Sequence, residues 1–144
     1  MAKPRSNRRH VSSLYRSGLE ERTAKNLDDL SVPYQFETLK LPYIIPASNH
    51  KYTPDFLITT KSGKTLIIET KGIWAFDDRK KHLLIREQHP DLDIRFVFSR
   101  SKSKISKKST TTYADICNGL GRGKFKGITW KYADSKIPQE WIDE

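Results

Sequence analysis

Sulfur, acid and long apolar runs are all scarce in this sequence, and each scarcity removes a class of protein. Cys117 is the only cysteine, which excludes an internal disulfide and any cysteine-rich metal cluster and suits a small, buried, reduced side chain. No run of about 18 apolar residues is present, so no membrane-spanning helix is expected. The basic start, Met1 to His10, has no apolar stretch behind it; it does not read as a secretory signal, and a cytoplasmic protein is expected. His50, His82 and His89 lack the spacing of a zinc set and read as surface or hydrogen-bonding residues. Nor is there a zinc-finger spacing, a convincing helix-turn-helix signature or an aromatic-rich RNA motif, so base-specific reading is not expected.

What is abundant is positive charge. The 144 residues hold 27 Lys and Arg against 17 Asp and Glu, a net charge of +10. A surplus of that size points to a polyanion: nucleic acid, an anionic membrane surface or an acidic protein. The length suits one domain with a single core.

Residues 1–16 carry Lys3, Arg5, Arg8, Arg9 and Arg16 with no acid and little apolar matter, and read as a flexible basic arm before one domain over 17–144. Leu19, Thr23, Leu27 and Leu30 then recur at helical spacing, and Ser17 with Glu20 spells a capping box, so a helix is expected over 18–30. Residues 34–45 read as an edge or bent strand limited by Pro42 and Pro46, and 46–50 as a loop. Residues 52–60 and 64–70 form two strand-like runs around Lys61-Ser62-Gly63, a hairpin. Asp77-Asp78 suits the cap of a helix over 78–88 with Leu83, Leu84 and Ile85 buried and Arg79, Lys80, Lys81 and Arg86 wet. Residues 93–99 alternate as a strand that also suits the centre of a sheet. A basic loop (100–108), a helix near 111–119, a glycine-rich turn, a strand near 128–132 and a last helical turn at 138–142 complete the chain. The class is α/β, a mixed sheet flanked by helices.

The hairpin carries the chemistry. A three-residue loop at 61–63 opposes Thr60 to Lys64 and therefore Asp55 to Glu69, whose Cβ atoms would lie about 4.5–5.5 Å apart. A two-residue loop at Ser62-Gly63 would slip the register and send the two acids to opposite faces. In the first register the like charges repel unless a cation sits between them, and Mg²⁺, which takes oxygen ligands, suits the pair. Lys71, two residues after Glu69, shares its face, while Thr70 points away. In isolation this pattern is also that of an exposed hairpin with solvated charges.

Pro54-Asp55 followed by Glu69-Thr70-Lys71 matches the PD-(D/E)-x-K pattern of restriction-endonuclease-like nucleases. Ser17-Gly-Leu-Glu20, Pro46-Ala-Ser-Asn-His50, Tyr52-Thr-Pro-Asp-Phe56, Glu69-Thr-Lys-Gly72 and the block from Asp77 to Pro90 resemble the phage endonuclease I family, the Holliday-junction-resolving nucleases. The resemblance runs from about residue 16 to 142. It implies the restriction-endonuclease-like fold, an element-swapped homodimer, and catalytic positions at Glu20, Asp55, Glu69 and Lys71. The implied ion is Mg²⁺, with Mn²⁺ as substitute, one or two per site, on Asp55, Glu69 and Glu20. Glu20 would come from one subunit and the other three from its partner. The capping box offers Glu20 a purely structural role as well. The implied setting is the host cytoplasm, with branched DNA as substrate and no membrane or small-molecule partner. The chain departs from the family pattern in a longer hairpin between Phe56 and Glu69 and in the glycine-rich stretch at 119–127.

Candidate DNA contacts fall on three separated surfaces: the arm with Lys3, Arg5, Arg8, Arg9 and Arg16; Arg79, Lys80 and Lys81 on the helix; and Arg100, Lys102, Lys104 and Lys107 in the basic loop, with His50 nearby. For Arg79, Lys80, Lys81 and Arg86 the ordinary wet face of a helix is the better single explanation, whereas the acid-free loop favours DNA. Trp74, Trp130 and Trp141 read as core anchors. A sequence-specific restriction-type nuclease and a non-catalytic architectural DNA-binding protein on the same core are the competing readings.

Overall fold

Alternating apolar residues in the middle of the chain build the sheet from which the site is hung. A computed structural model describes residues 15–144. Lys3, Arg5, Arg8 and Arg9, and with them most of the expected basic arm, lie outside the described residues.

The elements are α1 (Gly18–Asp29), β1 (Tyr34–Phe36), β2 (Leu41–Ile45), β3 (Ser48–Tyr52), β4 (Phe56–Thr59), β5 (Thr65–Lys71), α2 (Phe76–Gln88), β6 (Ile94–Phe98), α3 (Tyr113–Cys117), β7 (Asn118–Leu120), β8 (Lys126–Thr129), β9 (Lys131–Asp134) and α4 (Gln139–Ile142), with a 3₁₀ turn at Gly123–Phe125. Five strands form one mixed sheet in the order β1-β4-β5-β6-β9. β1, β4 and β5 run antiparallel, while β6 lies parallel to both β5 and β9. The parallel step from β5 to β6 requires a crossover, and α2 supplies it. β2–β3 and β7–β8 are separate two-stranded hairpins. The chain is thus a mixed α/β structure, as its alternation of patterns implies.

Strand alternation sorts the core into two faces. Phe56, Ile58, Leu66, Ile68 and Val97 meet Ala24 and Leu27 of α1 and Ile142 of α4. On the other face Phe96 and Phe98 meet Trp74, Leu83, Tyr113 and Trp130, and Ile67 and Ile94 meet Ile85, Tyr43 and Tyr52. Every residue of β6 is buried, as suits an interior strand lying between β5 and β9. Trp74 and Trp130 are core anchors, and Trp141 packs half-buried against the first cluster.

Several local expectations need correction. Residues 34–45 are two strands, because the backbone turns at Glu37, which has φ 53°. The stretch 46–50 is not a loop: Ser48 onwards pairs with β2, from Ile45↔Ser48 to Leu41↔Tyr52. The run 52–60 is a strand only from Phe56, since Pro54 lacks the N–H a ladder needs. Helix α2 begins two residues earlier than expected, capped by the backbone of Ala75, with Asp77 and Asp78 in its first turn. Helix α3 is shorter than expected and starts at a capping box of Thr112 and Asp115. The glycine-rich stretch pairs as β7 and β8, and the strand near 128–132 divides between β8 and β9. Tyr15, inside the expected arm, is buried against Phe36 and Phe56.

Charge also closes the far end of the sheet. Arg95, fully buried on β6, binds both oxygens of Asp93 at 2.8 Å, and its Nη2 donates to Glu144 Oε1 at 2.9 Å. Main-chain bonds from Lys61 to Ile142 and from Ser62 to Glu144 tie the same end to the β4–β5 loop. Arg95 and Lys64 hold the Asp93 carboxyl down at about 2. An acid with a depressed folded pKa stabilises the fold above its ordinary value, and that stabilisation drains as pH falls towards 2. Asp93 is partly exposed, so the effect is on the order of 1 kcal/mol after screening. Urea unfolding of wild type and Asp93→Asn should therefore differ at pH 6 and converge near pH 2; a pH-independent gap would contradict this ion cluster.

Candidate active site

The register of β4 on β5 decides where the acids go. Phe56 pairs with Ile68 and Thr59 with Thr65, Thr60 N–H donates to Lys64 C=O at 2.8 Å, and Gly63 takes the left-handed φ of 88° that ends the loop. The loop is thus residues 61–63, and one step beyond Phe56↔Ile68 Asp55 stands opposite Glu69. Asp55 N–H donates to Glu69 Oε1 at 3.3 Å.

The side chains then part. Asp55 Oδ2 accepts from the N–H and the hydroxyl of Thr70, each at 2.9 Å, so Thr70 does not point away as expected. Glu69 Oε1 accepts from the Tyr52 hydroxyl. Asp55 instead joins Glu20 and Glu37, and one carboxylate oxygen of each lies within 4.8 Å of the other two. Of the acids expected to bind metal, Asp55 and Glu20 lie in this cluster together with Glu37, and Glu69 adjoins it through its bond from Asp55 N–H. Sequence reading missed Glu37 because it lay inside a supposed continuous strand. Its N–H donates to Asp55 C=O at 3.0 Å, and its left-handed φ is the kind of backbone strain that collects at functional positions.

Glu20 serves two roles without conflict. Ser17 Oγ caps the helix by accepting from Glu20 N–H at 3.1 Å, but the Glu20 carboxylate does not return the bond to Ser17. It accepts from Arg16 N–H at 3.0 Å instead. Arg16 also pairs with Glu37 through its guanidinium. Burial and the nearby Asp55 charge raise the Glu20 pKa despite the Arg16 bond.

Lys71 ends β5 with its Nζ 2.6 Å from Asp78 Oδ2 and 3.6 Å from Glu69 Oε2. Burial opposes its charge, yet Glu69 and Asp78 outweigh burial and leave its pKa raised. Glu69 is the opposite case: burial and the Asp55 charge push its carboxyl up to about 8. The donors gathered here are hard carboxylate oxygens with an excess of negative charge, which fits a divalent ion such as Mg²⁺ or Mn²⁺ and no soft metal.

The expected DNA contacts divide by exposure. Arg100, Lys102, Lys104 and Lys107 are exposed, as are Lys80 and Arg16; Lys81 is half-buried, with its Nζ 5.5 Å from the Tyr52 ring centroid. His50 is exposed on β3 and bonded to Ser48 Oγ at 2.8 Å. Arg79 is not wet: it is 5% exposed, and its guanidinium donates to Trp74 C=O. His82 is likewise no surface residue. Buried edge-on against Tyr52 and Phe96, it stays neutral because burial, with Lys71 and Lys81 nearby, lowers its pKa.

The family model described as phage endonuclease I matches residues 1–144. Endonuclease I of Escherichia phage T7 is 51% identical over 130 residues, covering 90% of this chain and 79% of the phage protein. Endodeoxyribonuclease 1 of Enterobacteria phage T3 is 52% identical over 130 residues, covering 90% of this chain and 78% of that protein.

A buried acid whose folded pKa is raised stabilises the fold only while protonated: fully below its ordinary value, and no longer once pH has risen through about 8. In chelator, Glu69→Gln should accordingly melt above wild type at pH 9 and level with it below pH 5. Equal melting at both pH values would mean that Glu69 carries no such penalty.

Proposed function

Because the chain belongs to the phage endonuclease I family, we propose that it is a structure-selective, divalent-metal-dependent endodeoxyribonuclease that resolves four-way and other branched DNA junctions by paired phosphodiester hydrolysis. That it hydrolyses DNA follows from the family itself. The observation that carries the finer reading is the convergence of Glu20, Glu37, Asp55 and Glu69 around the end of β5, in a chain of net charge +10. A basic protein that spends its buried acids in one place, beside a lysine, is built to hold a cation against a polyanion.

Asp55, Glu69 and Glu20, with Glu37 beside them, are the groups that would hold the ion. A divalent ion there would supply Lewis-acid polarisation of the scissile phosphate and activation of water. Lys71 acts as a fixed positive charge: Asp78 and Glu69 aim its ammonium to where negative charge grows on the pentavalent phosphorus. Tyr52 and Thr70 orient the carboxylates they touch. The exposed cations at Lys80, Arg100, Lys102, Lys104 and Lys107, with half-buried Lys81 and exposed Arg16 and His50, supply backbone contacts without sequence reading. Lys3, Arg5, Arg8 and Arg9 extend that surface from the arm. With its stem buried, Arg79 contributes charge from behind.

Two cuts across a junction need two sites related by a two-fold axis, hence a homodimer. Within one chain Glu20 and Glu37 already reach Asp55. The four acids divide at the β2–β3 turn: Glu20 and Glu37 precede it, and Asp55 and Glu69 follow. Ala47 in that turn has φ 79°, a conformation costing a β-carbon residue about 1 kcal/mol or more. Opening Pro46–Ala47 into one extended strand would relieve that cost and deliver Glu20 and Glu37 to the partner's Asp55 by the same contacts. This supports a homodimer that exchanges elements.

Two experiments follow. Wild type incubated with Mg²⁺ should cut a labelled four-way junction and spare a linear duplex of the same sequences. Asp55→Ala should lose at least about 100-fold in cleavage rate while still binding the junction; equal activity of the variant, or sequence-determined cutting of linear duplex, would contradict the reading. Ala47→Gly, which removes the strain of the closed turn, should weaken dimerisation by on the order of tenfold in sedimentation equilibrium. An unchanged or tighter dimer would argue against exchange at this hinge.

A further inference from the structure

Directly after Lys71 the chain does something uneconomical. Ile73 is 81% exposed and Phe76 57% exposed, three residues apart, on the segment joining the candidate active site to α2. Large apolar groups held out together in this way mark a contact surface. Phe76 also forms one wall of a cavity of about 460 Å³ between α2, the basic loop and the 3₁₀ turn. Phe125, Ile105 and Ile116 supply further apolar lining, while Lys108 and Arg122 bring positive charge, and serine and threonine hydroxyls from 106–111 complete the wall. Lys80 Nζ lies 5.3 Å from the Phe76 ring centroid.

The combination is specific. A purely apolar partner would not need the cations and hydroxyls; a bare phosphate would not need the aromatic and aliphatic walls. An unstacked nucleotide needs both, with a flat apolar base, a hydrogen-bonding edge and an anionic backbone. The volume falls within the range of small-molecule sites. Position agrees too: five residues of chain allow Phe76 to lie at most about 18 Å from Lys71, or about five steps along a strand at 3.4 Å each. Asp78, whose carboxylate grips Lys71, follows Phe76 by two residues in the first turn of α2.

We propose that Phe76 and this cavity form a binding site for one unstacked nucleotide at the branch point, with the base against Phe76 and its phosphate towards Lys80, Lys108 and Arg122. The inference rests on the branched-DNA reading above. It adds how a branch is distinguished from continuous duplex: intact duplex offers no free base face, whereas a strand exchange point gives one up at little cost in stacking.

The test uses the full chain, a four-way junction carrying 2-aminopurine beside the branch, and chelator to prevent cutting. Wild type should raise 2-aminopurine emission on binding. Phe76→Ala should remove most of that rise and lower the preference for junction over linear duplex about tenfold. Phe76→Trp should restore both, and circular dichroism and melting should show all three proteins equally folded. Absence of a rise with wild type, an unchanged rise with Phe76→Ala, or failure of Trp to rescue would overturn the proposal. A Phe76→Ala effect on dimer mass alone would overturn it in favour of a subunit contact. A parallel reaction of wild type with Mg²⁺ separates the two levels: cutting of the junction with an unchanged Phe76→Ala signal removes only the nucleotide site, and no cutting removes the junction-resolving reading beneath it.

Discussion

The three-residue loop of the β4–β5 hairpin sets the register from which everything else at the site follows. With residues 61–63 in the loop, Asp55 stands opposite Glu69, and Lys71 comes up on the Glu69 face two residues later. One residue fewer would invert a whole strand and scatter the three groups. The buried strand β6 and the core on both faces then act as a rigid back wall, against which small displacements of a carboxylate are costly. Glu20 on α1 and Glu37 after β1 are brought to Asp55 by elements packed on one face. Asp78, from α2 on the other, reaches Lys71.

This arrangement is electrostatically expensive. Burial and mutual repulsion raise the Glu69 carboxyl to about 8, and Glu20 is shifted in the same direction. Each acid is partly compensated by a local donor: Tyr52 for Glu69, Thr70 for Asp55, Arg16 for Glu20 and Glu37. None of these supplies what a divalent ion would, and the folded chain carries the residual repulsion as lost stability. The opposite end of the sheet shows the same residue types used for stability. There Arg95 and Lys64 together pair with Asp93 and Glu144, and both carboxyls lie low.

Much of this was legible in the sequence, and for identifiable reasons. Gly63 and the β-branched runs around it fixed the hairpin and its register, because strand alternation has a period of two and tolerates no slip. Ile94 to Phe98 read as a central strand because no polar face interrupts it, apart from Arg95 with its paired acids. Glu37 was not legible: its role depends on a left-handed turn that no glycine or asparagine announces. Nor were the burials of Arg79 and His82, which depend on partners distant from the helix pattern: the Trp74 carbonyl for Arg79, and the Tyr52 and Phe96 rings for His82. The strand β3 was hidden because its residues, Ser48 to Lys51, are polar and exposed, and pair by backbone alone. The parting of Asp55 and Glu69 side chains reflects hydrogen-bond donors contributed by Tyr52 and Thr70, which spacing along the chain does not reveal.

The central claim is that one divalent ion is gripped by acids meeting at the end of β5. Crystals soaked in Mn²⁺ would test it directly through the anomalous signal. The account predicts a peak at roughly 2.0–2.3 Å from carboxylate oxygens of Asp55 and Glu69, with Glu20 or Glu37 close by and the Lys71 ammonium just outside. A peak elsewhere in the molecule, or ordered carboxylates still bonded only to Tyr52 and Thr70 at saturating Mn²⁺, would contradict it.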